Sequence, residues 1–215
     1  MIESKPWIWN KVSNPYWETP DEQVILVIKR WKEQKVNTVL DLGCGTGRHS
    51  IFLANQGFDV SAFDLAQDGV DTFKEKVRDL ELPIDIQVGD MLDLPYEEES
   101  FDAVLSMYTV HHADLNGLEK TLKNVHKVLK PGGEAFITLT SKETDSWEKY
   151  KENRIDDFTL IKTEGPEMNV PHTYVDYEKA LELIKDFSLI KIQQITNYFP
   201  KLKKKHSHFF ILMKK

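Results

Sequence analysis

The stretch Val39-Leu40-Asp41-Leu42-Gly43-Cys44-Gly45-Thr46-Gly47-Arg48 decides how this chain folds. Its first half is apolar apart from one acid, which is typical of a buried parallel strand. Its second half holds three alternate glycines, which let the backbone approach a ligand closely because they carry no Cβ. From Thr46 the apolar period changes to that of a helix, whose N-terminus leaves N–H donors free above the turn. The stretch therefore predicts a strand, a ligand-binding turn and a helix.

A glycine-rich turn between a strand and a helix first suggests a nucleotide site. The dinucleotide fingerprint G-x-G-x-x-G fails here in both registers, because Arg48 and Ser50 stand where the third glycine would be. Asp41 precedes the turn, where its charge would repel a pyrophosphate. An acid at that point suits a ligand with positive charge. A nicotinamide-dependent oxidoreductase is therefore the least favoured of the functions considered.

The run from Asp41 to Gly47 resembles the first motif, E/D-x-G-x-G-x-G, of class I S-adenosylmethionine-dependent methyltransferases. That cofactor carries a sulfonium and an ammonium group and no phosphate, which agrees with the charge argument. The resemblance extends over about residues 36–140, through Gly89-Asp90, Phe101-Asp102 and Lys130-Pro131-Gly132-Gly133 in their segments. It implies a Rossmann-like α/β fold: a doubly wound, seven-stranded, mostly parallel sheet with an antiparallel final strand and helices on both faces.

The whole chain, residues 1–215, is predicted to form a single domain, because no linker or internal repeat interrupts it. Four parts are expected: an N-terminal aromatic lid and helix (1–35), a cofactor-binding core (36–140), a substrate-side insertion (141–175), and a last helix with a C-terminal hairpin (176–215). The insertion is polar and irregular, and a long loop in a compact domain is usually functional or disordered. Its aromatic residues argue against disorder.

Composition limits the possible partners. Hydrophobic content of 40% and charged content of 29% are typical of a soluble globular protein. The net charge of −7 disfavours nucleic acid, which needs clustered basic residues. The one basic run, from Lys201 to Lys205, is interpreted as a solvated hairpin tip. Oligomeric state stays open.

Cellular location is predicted from three features of the sequence. The single cysteine, Cys44, excludes an internal disulfide and is compatible with a reducing cytoplasm. We find no apolar run that would span a membrane, and no signal-peptide pattern at Met1-Ile2-Glu3-Ser4. The expected location is the cytoplasm.

Acids at the ends of strands are expected to hold the cofactor. Asp64 ends the second strand, where it can accept hydrogen bonds from a ribose diol, each worth about 1.5–3 kcal/mol. The same geometry serves NAD, and Asp64 could instead cap the next helix. The resemblance implies that Asp90 accepts a hydrogen bond from the adenine amino group and that the backbone at Met91 meets the ring. An ordinary acidic loop is the alternative. The predicted cofactor contacts are Asp41, Gly43, Cys44, Gly45, Gly47, Arg48, Asp64, Leu65, Asp90, Met91, Leu92 and Met107.

His111 and His112 follow the fourth strand, at the edge of the sheet where open α/β folds bind ligands. An imidazole there can accept the proton released when a hydroxyl, thiol or amine is methylated. His112 is the first candidate for this catalytic role and His111 the second; the rival interpretation is a structural histidine that shapes the floor of the site. No metal is expected, because no third and fourth ligand is found at helical spacing.

Six residues are predicted to lie on the substrate side. The N-terminal aromatic residues either pack as a lid on the core or close over the cofactor and substrate, and both interpretations are kept. Residues of the insertion are assigned to the same side from their position alone. The six are Tyr16, Trp17, Tyr108, Arg154, His172 and Tyr174.

The predicted function is transfer of a methyl group from S-adenosyl-L-methionine to a small-molecule acceptor by in-line displacement, with S-adenosyl-L-homocysteine as product. Orienting the two reactants can supply about 7–11 kcal/mol of the barrier. Short aromatic lids, an acidic chain and the absence of an attached nucleic-acid module favour a small acceptor. A protein or RNA acceptor is the second choice, and a catalytically silent S-adenosylmethionine-binding protein stays open. The acceptor and its reacting atom are not predicted.

Overall fold

The computed structural model describes residues 4–12, 15–200 and 203–215. Two predictions concern residues outside these ranges. One is the basic turn, of which Lys201 is not described, and the other is the absence of a signal-peptide pattern, which involves Met1–Glu3. Short 3-10 turns occupy Trp9–Lys11, Pro15–Glu18 and Lys151–Asn153. The helices and strands, in chain order, are α1 (Glu22–Glu33), β1 (Thr38–Leu42), α2 (Arg48–Asn55), β2 (Asp59–Asp64), α3 (Gln67–Leu80), β3 (Ile84–Val88), β4 (Phe101–Ser106), α4 (Leu115–Val128), β5 (Leu129–Ser141), α5 (Asp145–Lys149), β6 (Thr159–Ile161), β7 (Pro171–Val175), α6 (Tyr177–Leu183), β8 (Ser188–Phe199) and β9 (Lys204–Lys214).

The main sheet runs in the order β3-β2-β1-β4-β5-β9-β8. Strands β1 to β5 pair in parallel with their neighbours. Strand β9 lies antiparallel between β5 and β8, with Thr140 opposite His208. The predicted seven-stranded, mostly parallel sheet with an antiparallel final strand is therefore confirmed.

The insertion differs from its predicted irregular structure. It contains the short helix α5 and an antiparallel pair, β6 and β7, in which Leu160 faces His172. Strand β7 also extends the sheet by pairing in parallel with the end of β5, where Thr140 faces Tyr174. All five residues of β7 are buried, so the strand lacks the alternation by which a half-exposed strand is recognised. The interpretation of residues 141–175 as irregular is wrong for this reason.

Alternate residues of β1 face opposite sides of the sheet, and each side is covered by helices. Val39 packs in the same cluster as Trp31 of α1, whereas Leu40 packs with Leu118 of α4. Since successive side chains of a strand point to opposite faces, helices cover both faces as predicted. In the part of the chain that the structure describes, no helix is long and apolar enough to cross a membrane.

Glu134 of β5 ties helix α1 to the sheet. Its side chain is only 3% exposed and accepts hydrogen bonds from Arg30 Nη2 at 2.7 Å, Trp31 Nε1 at 3.2 Å and Gln34 Nε2 at 3.1 Å. Burial would raise the pKa of this carboxyl, but the bonds from Arg30 and Gln34 outweigh it and hold the pKa below its ordinary value. One buried carboxylate thus satisfies three donors of one helix.

Replacing Glu134 by alanine is expected to destabilise the fold by about 2–4 kcal/mol, because it leaves the buried indole N–H of Trp31 without an acceptor. Urea unfolding measures the change. The matched control is Glu18→Ala, which removes an exposed ion pair with Lys76 and is expected to change the free energy of unfolding by less than about 0.5 kcal/mol. Equal stability of the two variants would contradict the role given to Glu134.

Candidate active site

A cavity opens at the carboxyl ends of the parallel strands. It lies where strand order reverses between β1 and β4, the usual ligand site of an open α/β sheet. The sheet contributes strand ends and loops to its wall, and the N-terminal segment contributes Trp7, Trp9 and Trp17.

Most of the predicted cofactor residues meet at this cavity. Those that line it are Gly43, Cys44, Arg48, Asp64, Leu65, Asp90, Met91 and Met107. Those that do not are Asp41, Gly45, Gly47 and Leu92. Sequence reasoning missed several wall residues, among them Thr46, His49 and Thr109. Their side chains carry no motif signal, and only the course of the chain brings them to the cavity.

Side chains from other parts of the chain pack closely on the glycine turn. Gly43 has φ +83°, and a Cβ built on it would lie 2.1 Å from the side chain of Thr109. Gly45 has φ +54°, and its Cβ would lie 2.2 Å from the indole ring of Trp9. A side chain at either position would meet both backbone strain and a clash. Gly45 therefore lies beneath Trp9, which accounts for its absence from the cavity wall.

Asp41 faces away from the cavity, which corrects the expectation that it meets a cationic ligand. It is only 1% exposed, and its Oδ2 accepts a hydrogen bond from Ser50 Oγ of α2 at 2.5 Å. Burial raises the pKa of Asp41 to about 6, although the Ser50 bond and the charge of Arg48 oppose this change. The physical reason is strand alternation, because Asp41 shares the face of Val39, which α2 covers.

Asp64 joins the glycine turn to the end of β2. Its Oδ2 accepts the N–H of Gly45 at 2.8 Å and its Oδ1 that of Ala66 at 2.7 Å, one residue before α3. Burial raises its pKa, and these two backbone bonds oppose that change. A carboxylate oxygen can accept more than one hydrogen bond, and each oxygen of Asp64 accepts one here. Asp64 can therefore still accept hydrogen bonds from a ligand.

Asp90 plays a comparable part at the end of β3. Its Oδ1 accepts the N–H of Leu92 at 2.9 Å. Leu92 thus contributes its amide to the shape of the loop, and its side chain does not reach the cavity wall. Asp90 and Met91 do line the cavity.

Arg48 anchors the N-terminal segment over the cavity. Its Nη1 donates to the backbone oxygen of Tyr16 at 2.9 Å and of Thr19 at 3.3 Å. Its guanidinium also lies 4.7 Å from the ring centre of Trp17, a cation–π contact. Trp17 lines the cavity as predicted, whereas Tyr16 is 43% exposed and lies outside the wall.

Tyr108 connects this segment to the end of β4. Its hydroxyl donates to Asp21 Oδ2 at 2.7 Å and accepts from that of Tyr16 at 3.1 Å. Its backbone has φ +59°, which is rare for a residue with a bulky side chain, and its amide donates to Thr138 Oγ1 at 2.6 Å. Strained backbone of this kind clusters at functional sites, and Tyr108 lies on the cavity wall as predicted.

Besides Tyr16, three residues predicted on the substrate side do not line the cavity: Arg154, Tyr174 and the buried His172. Arg154 stacks 3.8 Å from the ring centre of Trp147 and donates to its backbone oxygen at 2.8 Å. Tyr174 is only 1% exposed, and its hydroxyl is 2.8 Å from Ser146 Oγ. Tyr174 belongs to a small aromatic core within the insertion, and Arg154 stacks on that core through Trp147. The side-chain types of Arg154 and Tyr174 suggested a pocket. Both side chains instead contribute to packing within the insertion, which corrects the expectation for these two residues.

The predicted histidine pair separates into a partly exposed and a buried member. His112 lines the cavity, and its ring stacks on Trp7 with 5.8 Å between ring centres. His111 is only 4% exposed and does not line it. Burial, together with the nearby His112, lowers the pKa of His111 well below its ordinary value. The structure therefore brings His112 to the cavity and leaves His111 beneath it.

His172 lies next to His112, with 4.7 Å between ring centres, and is fully buried. Burial, with the charge of Lys162, lowers the pKa of His172 to about 4. Glu167 lies between the two rings, with its Oε1 at 3.7 Å from His112 Nε2 and 3.5 Å from His172 Nε2. Its other oxygen contacts Lys162 Nζ. Burial alone would raise the pKa of Glu167, but the positive charge of Lys162 opposes this and holds the pKa well below its ordinary value.

Sequence reasoning missed Glu167 and Lys162. Further ligands for His111 and His112 were expected at helical spacing, whereas the fold supplies Glu167 and His172 from the insertion, more than fifty positions later. Helical spacing is therefore the wrong criterion for metal ligands in this fold.

Comparison with known proteins agrees with this geometry. Residues 39–133 match the family model described as a methyltransferase domain. A demethylmenaquinone methyltransferase of Lactobacillus johnsonii is 34% identical over 132 residues, which cover 57% of this chain and 53% of the relative. The chain thus spans about half the length of the curated relatives it matches.

Two solved structures establish the fold. A SAM-dependent methyltransferase of Methanosarcina mazei aligns with a TM-score of 0.74 at 19% identity, over 88% of this chain and 96% of its own. The 1,6-didemethyltoxoflavin-N1-methyltransferase of Burkholderia thailandensis, solved with 1,6-didemethyltoxoflavin and S-adenosylhomocysteine bound, aligns with a TM-score of 0.67 at 17% identity, over 90% and 77%. Both likenesses cover nearly all of the chain, including the parts outside the family model.

Proposed function

We propose that this chain is a class I S-adenosylmethionine-dependent methyltransferase, which transfers a methyl group from that cofactor to a small-molecule acceptor. The observation that carries the proposal is the cavity at the reversal of strand order, whose wall joins the glycine turn to Asp64 and Asp90. We propose that the chain acts as one domain in the cytoplasm, which its single cysteine favours.

The cavity fits the cofactor of the family. Gly43 of the glycine turn lies on the cavity wall, together with two carboxylates that have spare acceptor capacity, Asp64 and Asp90, and their neighbours Leu65 and Met91. Asp64 would hold the ribose hydroxyls, and Asp90 with Met91 the adenine end. S-adenosylmethionine, when bound, supplies a methyl group on a positively charged sulfur. The chain's own part is to orient that group and to exclude water.

The remaining wall of the cavity is proposed as the acceptor site. Trp7, Trp17 and Tyr108 form an aromatic wall, and flat molecules stack well on such rings. A narrow, aromatic site suits a small molecule better than a folded protein or an RNA. Two of the proteins compared above carry the names of small molecules, demethylmenaquinone and 1,6-didemethyltoxoflavin, and they support the same choice. His112 is the titratable group of this wall that we propose as the acceptor of the substrate proton.

Calorimetric titration tests the cofactor site. S-adenosylmethionine and S-adenosylhomocysteine are expected to bind the purified chain in the micromolar range, and NADH is expected not to displace them. Asp64→Ala should weaken both by at least tenfold, because each charge-assisted hydrogen bond is worth about 1.5–3 kcal/mol. The control is Asp68→Asn, four residues on and outside the cavity wall, with expected affinity unchanged. Full affinity of Asp64→Ala would remove Asp64 from the site, and a folded chain that binds neither compound would refute the proposed function.

A further inference from the structure

Two imidazole nitrogens and one carboxylate oxygen converge between the loop after β4 and the insertion. His112 Nε2 and His172 Nε2 lie 3.7 and 3.5 Å from Glu167 Oε1, and the three atoms all lie within 4.8 Å of one another. Ligand atoms around a tetrahedral zinc ion with bonds of about 2.0–2.1 Å lie roughly 3.3–3.4 Å apart. Small side-chain movements that bring the three atoms to this separation would complete a three-ligand site.

The hydrogen bonding of His172 leaves a lone pair aimed at this point. Its Nδ1 is 2.8 Å from the backbone oxygen of Val170, and because a carbonyl only accepts, the ring proton lies on Nδ1. Nε2 of the neutral ring therefore carries a lone pair, and this buried atom has no hydrogen-bond partner among residues 4–12, 15–200 and 203–215. It faces the Oε1 atom of Glu167, so two electron-rich atoms point at each other. A cation between them would satisfy both.

Neighbouring groups orient the proposed ligands as the surroundings of metal sites do. A histidine that binds a metal usually donates its other ring N–H to a carbonyl or carboxylate, which is what Nδ1 of His172 does. Lys162 contacts the Oε2 atom of Glu167 and so directs Oε1 toward the imidazoles. Hydrogen bonding of the second carboxylate oxygen is equally common at such sites.

From these contacts we propose that His112, Glu167 and His172 bind a first-row divalent transition-metal ion, with Zn²⁺ as the best-suited probe. Two imidazoles and one carboxylate favour Zn²⁺ or Fe²⁺, whereas Mg²⁺ and Ca²⁺ prefer oxygen ligands alone. The ion would fasten the insertion to His112 on the cavity wall. The metal site does not depend on cofactor binding, because its three ligands take no part in the proposed cofactor contacts.

Metal binding by the untagged, full-length chain tests the proposal after treatment with a chelator. One Zn²⁺ per chain is expected to bind in calorimetry, and Co²⁺ is expected to give the visible absorption bands of a site with nitrogen and oxygen ligands. Mg²⁺ at the same concentration should give no signal. The cofactor titration is carried out separately, so failure of the metal site and failure of the cofactor site are distinguishable.

Two conservative variants locate the ion. Glu167→Gln and His172→Gln keep the size of the side chain and should each weaken Zn²⁺ binding at least tenfold, with thermal melting used to verify folding. The matched control is His208→Gln, since His208 belongs to the same group of rings but supplies no atom to the triad. The proposal is overturned if the folded native chain binds no stoichiometric Zn²⁺, or if both triad variants retain native affinity.

Discussion

Asp41→Asn is expected to raise the free energy of unfolding above pH 6 by about 3 kcal/mol. The pKa of Asp41 rises from 3.8 to about 6 on folding, chiefly because the carboxyl is buried. Each unit of pKa corresponds to about 1.36 kcal/mol, so holding this group ionised in the folded chain costs roughly 3 kcal/mol. Asparagine is neutral at every pH and nearly the same shape, and its amide can bond to the Ser50 hydroxyl.

The pH dependence gives the sign of this effect. Between about pH 4 and pH 6 the unfolded chain releases the Asp41 proton while the folded chain retains it. The contribution of Asp41 to stability therefore falls as pH rises through this window and reaches its lowest value above pH 6. The gain in Asp41→Asn should accordingly be absent at pH 4 and complete at pH 7.

Chemical denaturation of native chain and variant at a series of pH values measures this difference. The control is Asp59→Asn, an exposed acid at the start of β2, with an expected change of less than about 0.5 kcal/mol at any pH. A native chain whose stability exceeds that of Asp41→Asn at pH 7 would show that the ionised carboxylate has a favourable partner in the folded state. Affinity for S-adenosylmethionine should change less than in Asp64→Ala, because Asp41 is not part of the cavity wall.

Asp41 also illustrates how far the sequence leads. The motif that contains it predicted β1, the turn and α2, because a buried strand, a glycine turn and a helix each have a local pattern. Asp64 was found in the same way, since it ends a strand with such a pattern, whereas Asp90 was implied by the family resemblance. The orientation of Asp41 was missed because the charge argument treated it as part of the turn, whereas its strand position directs it toward α2.

The acceptor side was harder to predict because non-local packing forms it. Nothing in the spacing of Glu167 and His172 relates them to His112; the pairing of β7 with β5 and β6 brings them together. Arg154 and Tyr174 have the chemistry of a pocket but serve the aromatic core of the insertion. Side-chain type and position along the chain did not distinguish these two outcomes, because both depend on which surface of the insertion meets the sheet.

His112→Ala is expected to lower the turnover number about 100-fold, the low end of the range of about 10²–10⁴ for a positioned acid or base. Affinity for S-adenosylmethionine should change less than about threefold, because Asp64 and Asp90 are proposed to hold the cofactor. The acceptor for this assay comes from a screen of small thiols, amines, phenols and chalcogen oxyanions. Single-turnover kinetics with calorimetry separates the two effects.

The same nitrogen of His112 cannot hold a metal ion and accept a proton, so the assay is run on chelator-treated chain and repeated with Zn²⁺. If His112 accepts the proton, Zn²⁺ should slow the native enzyme while leaving His172→Gln nearly unaffected, and added imidazole should restore part of the activity of His112→Ala. His126→Ala serves as control, since that ring packs on Phe187 beside α4 and lies outside the cavity wall. Equal losses of turnover and cofactor affinity in His112→Ala would instead assign His112 a structural role, with the stacked ring of Trp7 as the contact that it supports.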